Sequence, residues 1–143
     1  SGSIGDGYSV ASSLALGADF AYMGTRFIAS KEANADQEYK KMLEESAASD
    51  IVYSSLFTGV LGNYLKPSIA NAGLDPDKLP DADKSAMNFG SGGNTDSKAW
   101  KDIWGSGQGI GRITDSPSVS DLVDRLKAEY LESAKELQNK VNL

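Results

Sequence analysis

The chain of 143 residues has no cysteine and no histidine. Without cysteine there is no disulfide framework, no thiolate metal site and no cysteine nucleophile, and the redox compartment is left open. Without histidine the commonest general base and zinc ligand are missing as well. Positive charge is also scarce: 14 Lys and Arg stand against 20 Asp and Glu, for a formal charge of -6, and the basic residues form no cluster. Nucleic acid and anionic membrane surfaces need local positive charge to release counterions, so both are excluded as expected partners. No apolar run approaches the roughly 18 residues of a membrane span, and no signal peptide precedes the first expected helix. The expectation is a soluble, cytoplasmic chain.

The length suits one compact domain and falls short of the roughly 250 residues of a complete (β/α)8 barrel. One domain, or a piece of something larger, is what fits. The chain opens on Ser1-Gly2-Ser3 with no initiator Met. That is the pattern of a tag scar or of a cut through a larger protein, and the following 30 residues favour the cut.

What is present is glycine in turns and apolar residues at helical spacing. Asp6 is a good N-cap for a short helix over 7–16, with Val10, Ala11 and Leu14 on one face and Gly17 as its stop. Phe20-Ala21-Tyr22-Met23, closed by Gly24, reads as a buried parallel strand. Tyr39, Met42, Leu43 and Ala47 mark the inner stripe of a surface helix that turns Lys40, Lys41, Glu44 and Glu45 to solvent. Residues 51–57 read as a strand, and Pro67 and Gly73 bracket a short helix. The stretch 74–96 is dominated by turn residues and reads as a long surface excursion. Residues 97–104 read as a short helix with Trp100 and Trp104 stacked at i, i+4. The last helix carries Val119, Leu122, Val123, Leu126, Tyr130, Ala134 and Leu137 on one face and is opened by Ser118 with Asp121. Its expected exposed residues are Lys127, Glu129 and Glu132.

The strongest chemical signal is a pair of turns, Gly2-Ser3 and Gly24-Thr25, 22 residues apart with one helix between them. Turn, helix, strand and second turn describe a βαβ unit whose two turns emerge side by side at the strands' C-terminal ends. Backbone N–H groups at two such turns, with the start of a helix at Thr25, would form an anion cradle of the kind found after the last strands of (β/α)8 barrels. The same spacing is also satisfied by glycines that only make turns.

Three consecutive segments carry a family resemblance: Gly2-Ser3-Ile4-Gly5-Asp6-Gly7, Leu14-Ala15-Leu16-Gly17-Ala18-Asp19 and Met23-Gly24-Thr25-Arg26-Phe27. Together they resemble the signature of FMN-dependent nitronate monooxygenases, also called 2-nitropropane dioxygenases. Asn63-Tyr64-Leu65-Lys66-Pro67-Ser68, the segment from Ser97 to Trp104, and Gly107-Gln108-Gly109 are similar too, so the likeness runs across nearly the whole chain. It is a likeness to the family's C-terminal part only. The resemblance implies an α/β fold, the C-terminal part of a (β/α)8 TIM barrel with an attached helix-rich small domain. Residues 1–30 would be the end of the barrel with the phosphate-binding turns, 31–112 the small domain, and 113–143 a closing helix that packs back on the barrel. It implies FMN as cofactor, its phosphate held by Gly2, Ser3, Gly24 and Thr25, and a small nitronate or nitroalkane as substrate, oxidised with oxygen. Ser3 stands where the family usually has Gly, which keeps the backbone donor but not glycine's freedom in φ. The family's catalytic His and the floor beneath the flavin ring belong to its N-terminal half, so no catalytic residue is assigned to this chain.

Gln108 would border the substrate side of the flavin, where its amide could reach a flavin oxygen or a nitro group; a loop Gln capping a backbone group is the plain alternative. Trp100 and Trp104 read as core packing. Arg26 could neutralise a phosphate or pair with an acidic neighbour such as Glu32. Asp75, Asp77, Asp81 and Asp83 lack the spacing of a calcium loop and read as solvated. Two rivals stay open. One is an inosine monophosphate dehydrogenase-like barrel whose phosphate grip holds a nucleotide. The other is a non-catalytic fragment that associates with itself, or with an N-terminal barrel portion, through exposed edges and apolar faces.

Overall fold

The computed structural model describes residues 1–80 and 102–141. The first helix, α1 (Gly7–Ala15), begins where the sequence places it because Asp6 and Ser9 cap each other. Asp6 Oδ1 accepts from Ser9 N at 2.7 Å, and Ser9 Oγ accepts from Asp6 N at 3.1 Å, satisfying donors that a helix start leaves free. Gly17, at φ +94, turns the chain away from the helix. The expected strand at 20–23 does not form: these residues pair with no strand among the described residues, and Phe20 and Tyr22 are 88% and 73% exposed. A strand is defined by its ladder, and an apolar run with no neighbour to hydrogen-bond cannot make one.

A single helical turn, α2 (Thr25–Ile28), follows Gly24, and then comes α3 (Gln37–Glu45). On α3 Leu43 is fully buried and Tyr39 and Met42 half-buried, as the stripe requires, but Ala47 lies past the end of the helix and is exposed; burial pushes the Tyr39 hydroxyl up to about 12. Two solvent-side expectations fail there. Lys40 is buried, and Glu44 is half-buried because its carboxylate accepts a hydrogen bond from the Ser116 hydroxyl at 2.6 Å.

The expected strand at 51–57 is realised as β1 (Ile51–Ser54), which pairs antiparallel with β2 (Gly62–Leu65) in the register Ile51 to Leu65. Helix α4 (Lys66–Asn71) starts with Pro67 in its first turn. Phe57, Tyr64, Ile69 and Ile103 form a buried cluster, with the Phe57 and Tyr64 rings edge to face at 4.8 Å. Trp104 is not helical. Its carbonyl accepts from Leu65 N at 2.8 Å and Gly105 bridges to Tyr64, so this stretch lies along the free edge of β2. Trp100, Asp81 and Asp83 lie outside the described residues.

The last helix, α5 (Val119–Val141), opens on Ser118, whose hydroxyl accepts from Asp121 N at 3.1 Å. Leu122 is 1% exposed, whereas Leu126 and Tyr130 are half-buried and Leu137 is 56% exposed. Lys127 and Glu132 face solvent as expected, but Glu129 does not: its carboxylate accepts from Gly7 N at 2.7 Å, reaching the first turn of α1. The apolar face is therefore used mainly at its N-terminal end.

The chain forms two compact units, Ser1–Glu45 with Gly109–Leu143, and Ser46–Gln108.

Candidate functional site

The turn at Gly2-Ser3 precedes the capping box of α1. Gly2 has φ +94 and Ser3 has φ +55, so the serine takes the left-handed conformation that glycine takes more freely. Both residues are exposed. Among the described residues no hydrogen bond uses the N–H of Gly2, Ser3 or Gly24. A Cβ built on Gly2 or Gly24 meets nothing within 4 Å, so the space beside both is open. Exposed, unclaimed N–H donors beside open space are what an anion needs from a turn. The helix expected to begin at Thr25 is only the four residues of α2, too short to add a helix dipole, so an anion there would depend on individual N–H groups.

The Gly2-Ser3 turn and the Gly24-Thr25 turn are each supported from elsewhere in the chain. What holds each of them comes from the segment after Gln108. Gln108 opens a 3-10 turn, Gln108–Arg112, and is itself exposed. Its neighbour Gly109 passes directly over Ser3: a Cβ at 109 would lie 2.9 Å from the Ser3 carbonyl carbon and 3.0 Å from its oxygen. Gly5 is equally tight against Gly109, with 2.8 Å from a built Cβ to the Gly109 oxygen. Arg112 Nε then pairs with Asp6 Oδ2 at 3.3 Å.

Arg26, next to Thr25, is 2% exposed, and it does not pair with Glu32. Its Nη2 donates to the Asp115 carbonyl at 3.0 Å and to Asp115 Oδ1 at 3.3 Å, and also to the Ala29 carbonyl at 3.3 Å. Burial pulls the Arg26 guanidinium below its ordinary value, while Asp115 opposes that shift. Asp115 also takes a two-pronged contact from Arg125, at 2.9 and 2.7 Å. The hydrogen bond from Arg125 is the main reason its carboxyl sits below the usual carboxylate range. Glu32 instead meets the start of α5, where both its oxygens accept from Val119 N at 2.9 Å and an acid is favoured.

Within the Gly-Gln-Gly run it is Gly109, not Gln108, that makes the close approach. Asp115 carried no local signal, because its partner Arg26 lies 89 residues away. Asp75 and Asp77 pair with Lys78 and Lys66.

Residues 1–129 match the model of the nitronate monooxygenase family. The chain belongs to that family. It is 29% identical over 145 residues to a nitronate monooxygenase of Paraburkholderia phytofirmans, an alignment covering 99% of this chain and 40% of that protein. It is 40% identical over 58 residues to a probable nitronate monooxygenase of Staphylococcus saprophyticus, covering 41% of this chain and 16% of that one. The chain thus spans well under half the length of these relatives. Among solved structures, a nitroalkane oxidase from Streptomyces ansochromogenes is similar at 27% identity and a TM-score of 0.69, over 95% of this chain and 40% of that one. FabK from Thermotoga maritima shares the fold at 21% identity and a TM-score of 0.67, over 97% of this chain and 45% of that one. Among the described residues no helix is long and apolar enough to cross a membrane.

Proposed function

We propose that this chain is the phosphate-holding part of an FMN-dependent oxidoreductase that oxidises alkyl nitronates or nitroalkanes with oxygen. The observation that carries the reading is the exposed, unclaimed N–H groups of Ser3 and Gly24 on turns inside the family match. Gly2, Ser3, Gly24 and Thr25 hold the phosphate through backbone donors, and the open space beside Gly2 and Gly24 admits it. The φ of +55 at Ser3 supports this, because serine takes the turn conformation that glycine would supply. When bound, FMN supplies the two-electron redox chemistry of its ring. The chain's own residues bind and orient: the Gln108 amide, exposed at its 3-10 turn, serves the substrate side as a hydrogen-bonding group. In this reading residues 1–30 end a (β/α)8 barrel, 31–112 form a small domain, and 113–143 close the barrel.

The test is an amide NMR titration of the 143-residue chain with FMN, inorganic phosphate and riboflavin. FMN and phosphate should shift the Ser3, Gly24 and Thr25 amides, and riboflavin, which lacks the phosphate, should not. Shifts confined to other residues, or equal shifts with riboflavin, would overturn the reading.

A further inference from the structure

We infer that residues 109–118 are a strap that sets the position of both anion-holding turns, with Gly109 and Asp115 as its positioning residues. The inference rests on the anion reading for its purpose, and on the following geometry for its existence. One short segment touches the supports of both turns.

At its start, Gly109 lies against the Ser3 backbone so closely that a methyl group there would meet Ser3 carbon and oxygen at 2.9 and 3.0 Å. Backbone against backbone cannot yield as a flexible side chain can, so this crossing fixes where Ser3 sits. Arg112 then clasps Asp6, the cap of the helix that follows the turn. Further along, Asp115 receives Arg26, a buried cation one residue past Thr25 whose Nη1 has no hydrogen-bond partner among the described residues. A buried guanidinium left without its carboxylate is strongly unfavourable, so Arg26 keeps its place only while Asp115 keeps its own. Arg125 grips the same carboxylate from α5 with two bonds, and the Pro117 carbonyl accepts from Lys31 N at 2.9 Å, which anchors the strap beyond the second turn. A ligand bridging the two turns gains affinity when their spacing is set beforehand, and the strap is what sets it.

The experiment measures amide hydrogen exchange and FMN titration on the full 143-residue chain and its variants. Phe27 and Ile28 donate to the Gly24 carbonyl at 3.0 and 3.3 Å and report the second turn. Gly5 and Asp6 donate to Ser9 Oγ and report the first. Asp115→Asn should speed exchange at Phe27 and Ile28 by about tenfold while Val10 in α1 is unchanged, and Asp115→Glu should restore most of the protection. Gly109→Ala should speed Gly5 and Asp6 while Phe27 is unchanged; if that variant does not fold, Arg112→Gln makes the same test. General destabilisation would move both pairs together, so equal acceleration at all reporters in either variant overturns the strap, as does no change at the expected pair. Where wild type responds to FMN at Ser3 and Gly24, each variant should weaken the response at least about fivefold, and undiminished affinity overturns the proposal. Where wild type does not respond, the anion reading fails, and the exchange pattern alone decides the strap.

Discussion

Arg26 carries a full charge into a place 2% exposed, and what makes that tolerable is a carboxylate far away in sequence. Glu32 was the natural partner to expect from the sequence because it is close along the chain, but closeness in sequence means contact only on a helix face, and α2 ends at Ile28. Ser3 shows the opposite case. Its place in the turn was legible, and the structure supplies the φ of +55 that the sequence left unresolved. Asp115 yields a pH prediction. Its folded value is lowered, chiefly by the hydrogen bond from Arg125, with Arg26 adding to it, while Glu44 is a further charge acting on Arg26. A depressed carboxylate contributes stability that is present above its unfolded value of about 4 and is lost as pH falls through the folded value. Unfolding free energy measured against pH should therefore fall more steeply below about pH 4 in wild type than in Asp115→Asn. Parallel curves would show that Asp115 contributes nothing at this scale.

Helices were the most legible elements, because a stripe at helical spacing and a capping residue both act within a few positions. The caps at Asp6 and Ser118 and the Pro67 start are all realised. What the stripes could not show is which polar residue on a boundary has a partner elsewhere, and so Lys40, Glu44 and Glu129 were misplaced while Lys127 was not. The four apolar residues at 20–23 have strand character but find no ladder among the described residues. The packing of α1 on α5 makes the energetic prediction at this scale. A Cβ on Gly7 would fall 2.2 Å from the Leu126 carbonyl oxygen and 2.6 Å from Tyr130 N, both backbone atoms. Gly7→Ala should lower the unfolding free energy by about 3 kcal/mol or more, whereas Gly24→Ala, with open space around it, should change it by less than about 0.5 kcal/mol. Leu122→Ala, at a fully buried position, should cost about 2 to 5 kcal/mol, and the half-buried Leu126→Ala should cost less. Denaturant unfolding checks the order, and equal losses at Leu122 and Leu126 would mean that the face is packed along its whole length. Tyr8 adds a bond from α1 to α5, donating to Glu132, which pushes its hydroxyl up to about 12.

At the scale of the molecule, the apolar surface decides how the chain behaves in solution. Leu16, Phe20 and Tyr22 are 89%, 88% and 73% exposed within seven residues of chain, and the backbone at 20–23 pairs with no strand among the described residues. Large apolar side chains exposed this close together favour association with another copy, which would bury the rings. The same reading bears on the cofactor. In the proposed reading the two turns hold only the phosphate, but a site that holds a ligand of this size encloses most of its surface, and no platform for a flavin ring is assigned to these residues. The expected outcome is that the 143-residue chain self-associates, does not keep FMN through gel filtration, and does not turn over nitronates. Light scattering coupled to size-exclusion chromatography, with a visible spectrum of the eluted peak, measures all but the last. Replacing Phe20 and Tyr22 with Ser should shift the mass toward the monomer, because it removes the apolar part of the interface and leaves the turns at Ser3 and Gly24 untouched. A wild-type monomer that elutes yellow, with one flavin per chain, would mean that these residues build a complete site without any barrel around them.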